Sequence, residues 1–163
     1  MDTFFSHIDT PFGMATCSVD AEGSVLAFGF INEFAASKVS ASRAAIHDPS
    51  RLKDVTRQVH EFFDRKRTSF TLNLKFVGSD FQRRVWASLI DIPFGETISY
   101  QTLAIKVGDY KASRAVGGAN NKNPIALIVP CHRVIGKNGS LTGYAGGIAL
   151  KQQLLDFESP LLF

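Results

Sequence analysis

Cys131, His132 and Arg133 follow one another directly, behind Pro130 and five apolar residues at 125–129. A thiol attacks or binds metal as its thiolate, and a free thiol ionises only near pH 8.5. A reactive cysteine therefore needs a base or a positive field beside it. The adjacent imidazole and guanidinium are the nearest sources of both, and Glu158 is a carboxylate available to orient the imidazole. Three readings of Cys131 are open: a small packed hydrophobe, a metal ligand or a nucleophile. The metal reading is the weakest, because Cys131 and His132 lack companions at zinc-ligand intervals. The loop that follows, "GKNGSLTGYAGG", is rich in glycine and gives the thiol a permissive neighbour.

A second group of residues points to a surface rather than a reaction. "ASRAVGGANN" places Ala112, Ala115, Gly117, Gly118 and Ala119 around one long arm, Arg114. Small residues are poor hydrogen-bonding readers of base edges. They do let a helix backbone press closely on another surface, and two interior glycines each cost about 1 kcal/mol against alanine. Tight packing inside the protein and close approach to a partner both account for that cost. Charge is uneven as well. Residues 1–75 carry 9 acidic and 9 basic side chains, whereas residues 76–163 carry 6 and 9. A basic second half suits a polyanion such as nucleic acid, although a solvated surface also accommodates it. Lys106, Lys111 and Lys122 flank the small-residue helix and are candidate phosphate contacts.

These groups need elements to hold them. The chain has 163 residues, 45% apolar and 20% charged, enough for one large or two small globular domains. No apolar window of about 18 residues predicts a membrane span, and the first residues do not read as a secretory leader. Two cysteines argue for a reducing compartment, inside the cell. "TFFSHID", "GMATCSV" and "GSVLAFGFI" read as strands separated by turns. Asp48 and Pro49 then start a helix whose apolar stripe is Leu52, Val55, Val59, Phe62 and Phe63. "FTLNLKF" alternates like a further strand.

From Ser79 the pattern becomes helical. Ser79 and Gln82 form a capping box, with Phe81, Val85, Trp86, Leu89 and Ile90 as the buried face. Ser99 caps "YQTLAIKV", which ends at Gly108, and the "ASRAVGGANN" helix follows. This is a helix-turn-helix pattern. "GIALKQQLLDFE" is amphipathic through Leu150, Leu154 and Phe157. The expectation is an α+β chain: a small strand-rich domain over 1–75, then a mainly helical domain over 76–163. His7, His47 and His60 read as surface or packing groups, and Trp86 and Cys17 as core.

"IVPCHRVIG" resembles the active-site motif of the O6-alkylguanine-DNA alkyltransferases, the methylated-DNA–protein-cysteine methyltransferases. "FQRRVWASLIDIPFGETISYQTLA", "SRAVGGANNKNP" and "GYAGGIALKQQLLDFE" fall in that family's order, so the resemblance covers roughly residues 79–158. It implies that Cys131 accepts the alkyl group, with His132 taking the thiol proton through a water and Glu158 holding His132. It implies that Tyr100 donates a hydrogen bond to the leaving guanine. Arg114 would fill the gap in the base stack, while Ser113, Ala115, Gly117 and Gly118 line the minor groove beside it. Asn123 would brace the turn before the motif. Tyr144, Ala145 and Gly146 would wall the guanine pocket, and the Val134 carbonyl would accept from the exocyclic amine.

The implied function is stoichiometric, irreversible repair of O6-alkylguanine, and of O4-alkylthymine, in double-stranded DNA. No cofactor, metal, membrane or protein partner is implied, and the protein would act as a monomer in the cytoplasm, or the nucleus in a eukaryote. Two departures stand out. Some relatives have serine where this chain has Ala145, which removes a hydroxyl from the pocket wall. The zinc site of some relatives needs a cysteine pair, and Cys17 stands alone. The competing readings are a DNA-binding sensor without transferase activity, a cysteine hydrolase using Cys131, His132 and Glu158, and a plain transcription regulator.

Overall fold

The computed structural model describes residues 2–31 and 44–159. Its α+β architecture divides into two compact units, one comprising Met1–Phe76 with Pro124–Ile128, the other Val77–Asn123 with Val129–Phe163.

In the first unit, β1 (Thr3–Thr10), β2 (Gly13–Asp20), β3 (Val25–Phe30) and β4 (Ile46–His47) form a sheet in the order β3-β2-β1-β4. The hairpin between β1 and β2 closes with Thr10 opposite Gly13, and Gly13 takes a positive φ of 113° that suits glycine. Period-two burial puts Phe4, Ser6 and Ile8 inward and leaves His7 and Asp9 exposed. A 3-10 turn over Pro49–Leu52, capped by the Asp48 side chain, leads into α1 (Lys53–Phe63). The five-residue stripe expected there is buried in full.

The "FTLNLKF" segment is not a strand. Its alternation is real, but it pairs only through a bridge between Val25 and Leu74. The reason lies in α1: the Gln58 side chain accepts from Thr71 N at 2.9 Å and donates to Thr71 O at 3.2 Å, so a side chain takes the place of a ladder. Pro124–Ile128 returns to this unit because Phe28 N donates to Pro124 O and Ala126 N to Phe28 O. Cys17 is fully buried, and burial pushes its thiol up to about 12, as befits a packing residue.

In the second unit the capping box at Ser79 and Gln82 opens α2 (Asp80–Leu89). Val85, Trp86 and Leu89 are buried, but Phe81 is only half-buried and Ile90, past the helix end, is exposed. Next come β5 (Ile98–Ser99), α3 (Tyr100–Lys106), α4 (Ser113–Asn121), β6 (Val134–Ile135) and α5 (Ile148–Glu158). Ser99 caps α3, and Gly108 at φ 92° ends its last turn. Trp86 Nε1 donates to Ala119 O at 2.8 Å and locks α2 to α4. On α5, Leu150 and Leu154 are buried as expected and Phe157 is half-buried. The same buried face also carries two charges, Lys151 and Glu158. Among the described residues no helix is long and apolar enough to cross a membrane.

Candidate active site

Cys131 opens a short 3-10 turn, Cys131–Arg133, and elements on both sides hold it there. Upstream, the last turn of α4 and the residues just past its end supply two buried asparagines. Asn120 Nδ2 donates to Cys131 O at 3.2 Å, and Asn123 Nδ2 donates to Val129 O at 2.8 Å. The Asn123 side chain also bonds the Cys131 thiol. Downstream, β6 pairs in parallel with β5, Val134 opposite Ile98. The residue after β5 is Tyr100, so this pairing ties the start of α3 to the cysteine turn. Tyr100 Oη donates to Thr142 O at 2.8 Å.

Glu158, the last residue of α5, collects the neighbouring donors. His132 Nε2 lies 2.7 Å from its Oε2. Arg133 donates through Nε to Oε1 at 2.8 Å and through Nη2 to Oε2 at 2.9 Å, while its Nη1 reaches Ile92 O at 2.7 Å. Gly95 N adds a longer bond to Oε1 at 3.3 Å. Burial opposes the charge on Glu158, but the bonds from His132 and Arg133 outweigh it and bring the carboxyl from an ordinary 4.5 to about 2. An ionised carboxylate only accepts, so His132 carries its proton on Nε2. Nδ1 is then the acceptor, and it is buried with no hydrogen-bond partner among the described residues.

One expectation fails here. A thiol ionised in the resting state by its imidazole neighbour is not what this environment supports. Burial holds the Cys131 thiol above its usual pKa, and the Asn123 bond and the Lys151 charge offset this only in part. Burial likewise lowers His132, so its imidazole is neutral near pH 7. The resting pair is a neutral thiol and a neutral base, and the sulfur must lose its proton during reaction.

The structure also gathers residues that the pattern did not single out. Lys151 is fully buried on α5, donates through Nζ to Thr142 O at 3.0 Å, and lies 5.8 Å from the centre of the Tyr100 ring. Burial brings its pKa down to about 8. The sequence signal was a lysine beside Leu150 on the apolar stripe of an amphipathic helix. Asn120 gave no such signal. Tyr144 is buried, and its hydroxyl has no partner among the described residues. Gly146 is closely packed: a Cβ there would lie 2.8 Å from Leu150 Cδ2 and 3.0 Å from Tyr144 Cε2, so those side chains would have to shift to admit one. Among the described residues no three His, Cys, Asp or Glu side chains gather as a metal ion requires.

The α4 glycines resolve differently from Gly146. Among the described residues a Cβ on Gly118 would meet nothing within 4 Å, and one on Gly117 would make ordinary contact with Tyr100 Cδ1 at 3.6 Å. Internal packing therefore does not demand either glycine. Val116, Ala119 and Asn120 face inward, while Arg114, Ala115 and Gly118 are exposed and Ser113 is half-exposed. Lys106 and Lys111 are exposed nearby in sequence. The outer face of α4 is a smooth, small-residue surface with one cationic arm.

Residues 80–160 match the family model described as the DNA-binding domain of 6-O-methylguanine DNA methyltransferase. A methylated-DNA–protein-cysteine methyltransferase of Methanosarcina acetivorans is 40% identical over 156 residues, spanning 95% of this chain and 97% of that protein. The crystal structure of Mycobacterium tuberculosis O6-methylguanine methyltransferase superposes with a TM-score of 0.85 at 38% identity, covering 98% of this chain and 96% of that one. A structure of the Mycobacterium tuberculosis OGT protein in complex with DNA gives a TM-score of 0.86 at 40% identity, covering 95% and 92%.

Proposed function

The chain belongs to the methylated-DNA–protein-cysteine methyltransferase family, and from that premise we propose that Cys131 is the residue that takes the alkyl group. The protein repairs DNA directly, moving the alkyl group from O6 of a guanine in duplex DNA onto its own cysteine. The observation that carries the residue assignment is the Cys131–Arg133 turn itself. It holds a thiol next to a histidine whose Nε2 is committed to Glu158 and whose Nδ1 is unoccupied by any described side chain.

The guanine O6 lies inside the stack, so the nucleotide swings out to reach the sulfur. Arg114 enters the gap while the small outer face of α4 lies along the minor groove. Tyr144, Ala145, Gly146 and the Val134 carbonyl line the base. Sulfur attacks the alkyl carbon, the S–C bond forms and the C–O6 bond breaks. The thiol proton passes through a water to His132 Nδ1, and the imidazolium that results is held by ionised Glu158. Tyr100, whose phenol burial keeps protonated, donates to the departing base. The product is a thioether that no neighbouring group cleaves, so each molecule turns over once, without cofactor or metal. DNA binding and acceptance are assigned to residues 76–163, and the reducing interior of a cell is the compartment a free thiol requires. A cysteine hydrolase would leave the exposed glycine helix without a role, and a sensor without transferase activity would have no use for the acceptor thiol.

Intact-mass analysis after incubation with an O6-methylguanine duplex tests this directly. One added methyl per molecule, mapped to Cys131, is expected. Repaired duplex in excess of one equivalent of protein, or a methyl on any other residue, overturns the assignment.

The buried imidazole gives a pH signature. Because burial lowers the His132 pKa from its usual 6.5, the base remains neutral as the pH drops through that value. Single-turnover transfer should stay level through pH 6.5 and fall only at lower pH; a midpoint at or above 6.5 counts against His132 as the base.

Gly118→Ala separates fold from function. Alanine should stabilise the helix by about 1 kcal/mol, since nothing among the described residues blocks the added methyl. It should also weaken DNA binding about tenfold, the order of cost for a methyl forced into a packed contact. Equal affinity by fluorescence anisotropy would show that α4 does not press on DNA at this point.

A further inference from the structure

Thr142 O accepts two hydrogen bonds at once, from Tyr100 Oη at 2.8 Å and from Lys151 Nζ at 3.0 Å. A phenol has a single proton to donate. While Tyr100 bonds this carbonyl it cannot donate to a base, so on the reading above the bond must break as the flipped guanine arrives. We propose that Lys151 is a positioning residue for Tyr100: it keeps the Thr142 carbonyl satisfied while the hydroxyl turns to the base. The inference rests on the proposed role of Tyr100.

The surroundings fit that role. Lys151 is anchored on α5 and fully buried, so its ammonium has little freedom to leave the carbonyl. It also sits 5.8 Å from the Tyr100 ring centre, a cation against the ring face or edge that steadies the aromatic as its hydroxyl moves. Gly143 follows Thr142 at φ 61°, a left-handed backbone that lets the peptide present its oxygen to both donors. The Tyr100 ring has Gly117 of α4 on another side, where even an added Cβ would make only ordinary contact at 3.6 Å. The ring therefore has a place to pivot without losing its seat. Thr142 is exposed in the free protein, where water can pair its carbonyl. Once the flipped base covers it, releasing the hydroxyl without Lys151 would strand that oxygen, and a polar group buried unpaired is costly.

A double-mutant cycle on full-length protein reads this out, with single-turnover transfer from saturating O6-methylguanine duplex. Lys151→Met retains an apolar stem of similar volume and removes the charge. Its melting temperature is expected to match or exceed that of the unsubstituted protein, because a buried charge is replaced by an apolar group. Its DNA affinity should be unchanged, while transfer slows about tenfold, the rate equivalent of one unpaired polar group. Tyr100→Phe slows transfer by itself. The double variant is expected to be no slower than Tyr100→Phe, since without a hydroxyl nothing is released from the carbonyl. Losses that multiply in the double variant, or an unaltered rate in Lys151→Met, overturn the proposal. Should Lys151→Met unfold, Lys151→Leu, which likewise has no donor, takes its place in the cycle, and multiplying losses have the same meaning. Failure of the unsubstituted protein to methylate Cys131 would instead remove the reading of the site on which the inference rests.

Discussion

The Cys131→Ala protein is expected to transfer no alkyl group at all and still to bind duplex DNA. In the proposed reaction the Cys131 sulfur forms the new bond, and among the described residues the one other thiol does not offer a substitute: Cys17 lies in the other unit, sealed in the sheet with its thiol pushed up to about 12. The groups proposed to face DNA are elsewhere, on the outer side of α4, and their positions depend on Trp86, Ala119 and the backbone of the turn rather than on the thiol. Asn120 bonds the Cys131 carbonyl, which alanine retains. A small buried side chain replaced by alanine costs about 1 kcal/mol, within the margin of an ordinary domain. Anisotropy with an O6-methylguanine duplex should therefore give an affinity close to that of the unsubstituted protein, while intact mass shows no gain. Retained transfer would mean that the acceptor has been misassigned. Lost binding with intact folding would mean that the thiol, not α4, organises the DNA surface.

Glu158→Gln is expected to be the most damaging single change to stability. Glu158 is 3% exposed, and Arg133 beside it is 5% exposed. Neutralising the carboxylate leaves the guanidinium as an uncompensated buried charge, which costs about 3–5 kcal/mol. The amide also fails to dictate the His132 tautomer, because it offers an N–H as readily as an oxygen. Transfer by whatever fraction remains folded should fall by about 10²- to 10⁴-fold, the range that a positioned acid–base group supplies. Urea unfolding and single-turnover kinetics measure the two losses separately.

Acid adds a check on the cause. Folding lowers the Glu158 carboxyl from 4.5 to about 2, so its stabilising charge is fully present above about pH 4.5 and is lost as the pH falls toward 2. The stability gap between the two proteins should close across that window. A gap that persists at its full size to pH 2 would locate the damage in packing rather than in charge.

How much of this was legible in the chain follows from how far apart the partners are. The capping box at Ser79 and Gln82, the Asp48 and Ser99 caps and the glycine that ends α3 were readable, because each is a hydrogen bond or a backbone angle settled within a few residues. The buried stripe of α1 was readable for the same reason: helical period alone decides which side chains share a face. The residues at 131, 132, 158, 100 and 114 were readable as types in an order, and the chain by itself determined which groups the proposed reaction draws on.

What those groups are like was decided by packing. "FTLNLKF" has a strand's alternation, yet Gln58, thirteen residues before Thr71, takes its hydrogen bonds, and no local pattern announces that choice. Lys151 and Glu158 share the face of α5 that carries Leu150 and Leu154, but helical period alone does not say that charges on that face end up buried. The protonation of Cys131 is the sharpest instance. Its neighbours in sequence argue for a thiolate, whereas desolvation, which depends on every element packed around the turn, holds it as a thiol. Sequence spacing places a base beside a sulfur, but the dielectric that sets their proton affinities exists only once the chain has folded around them.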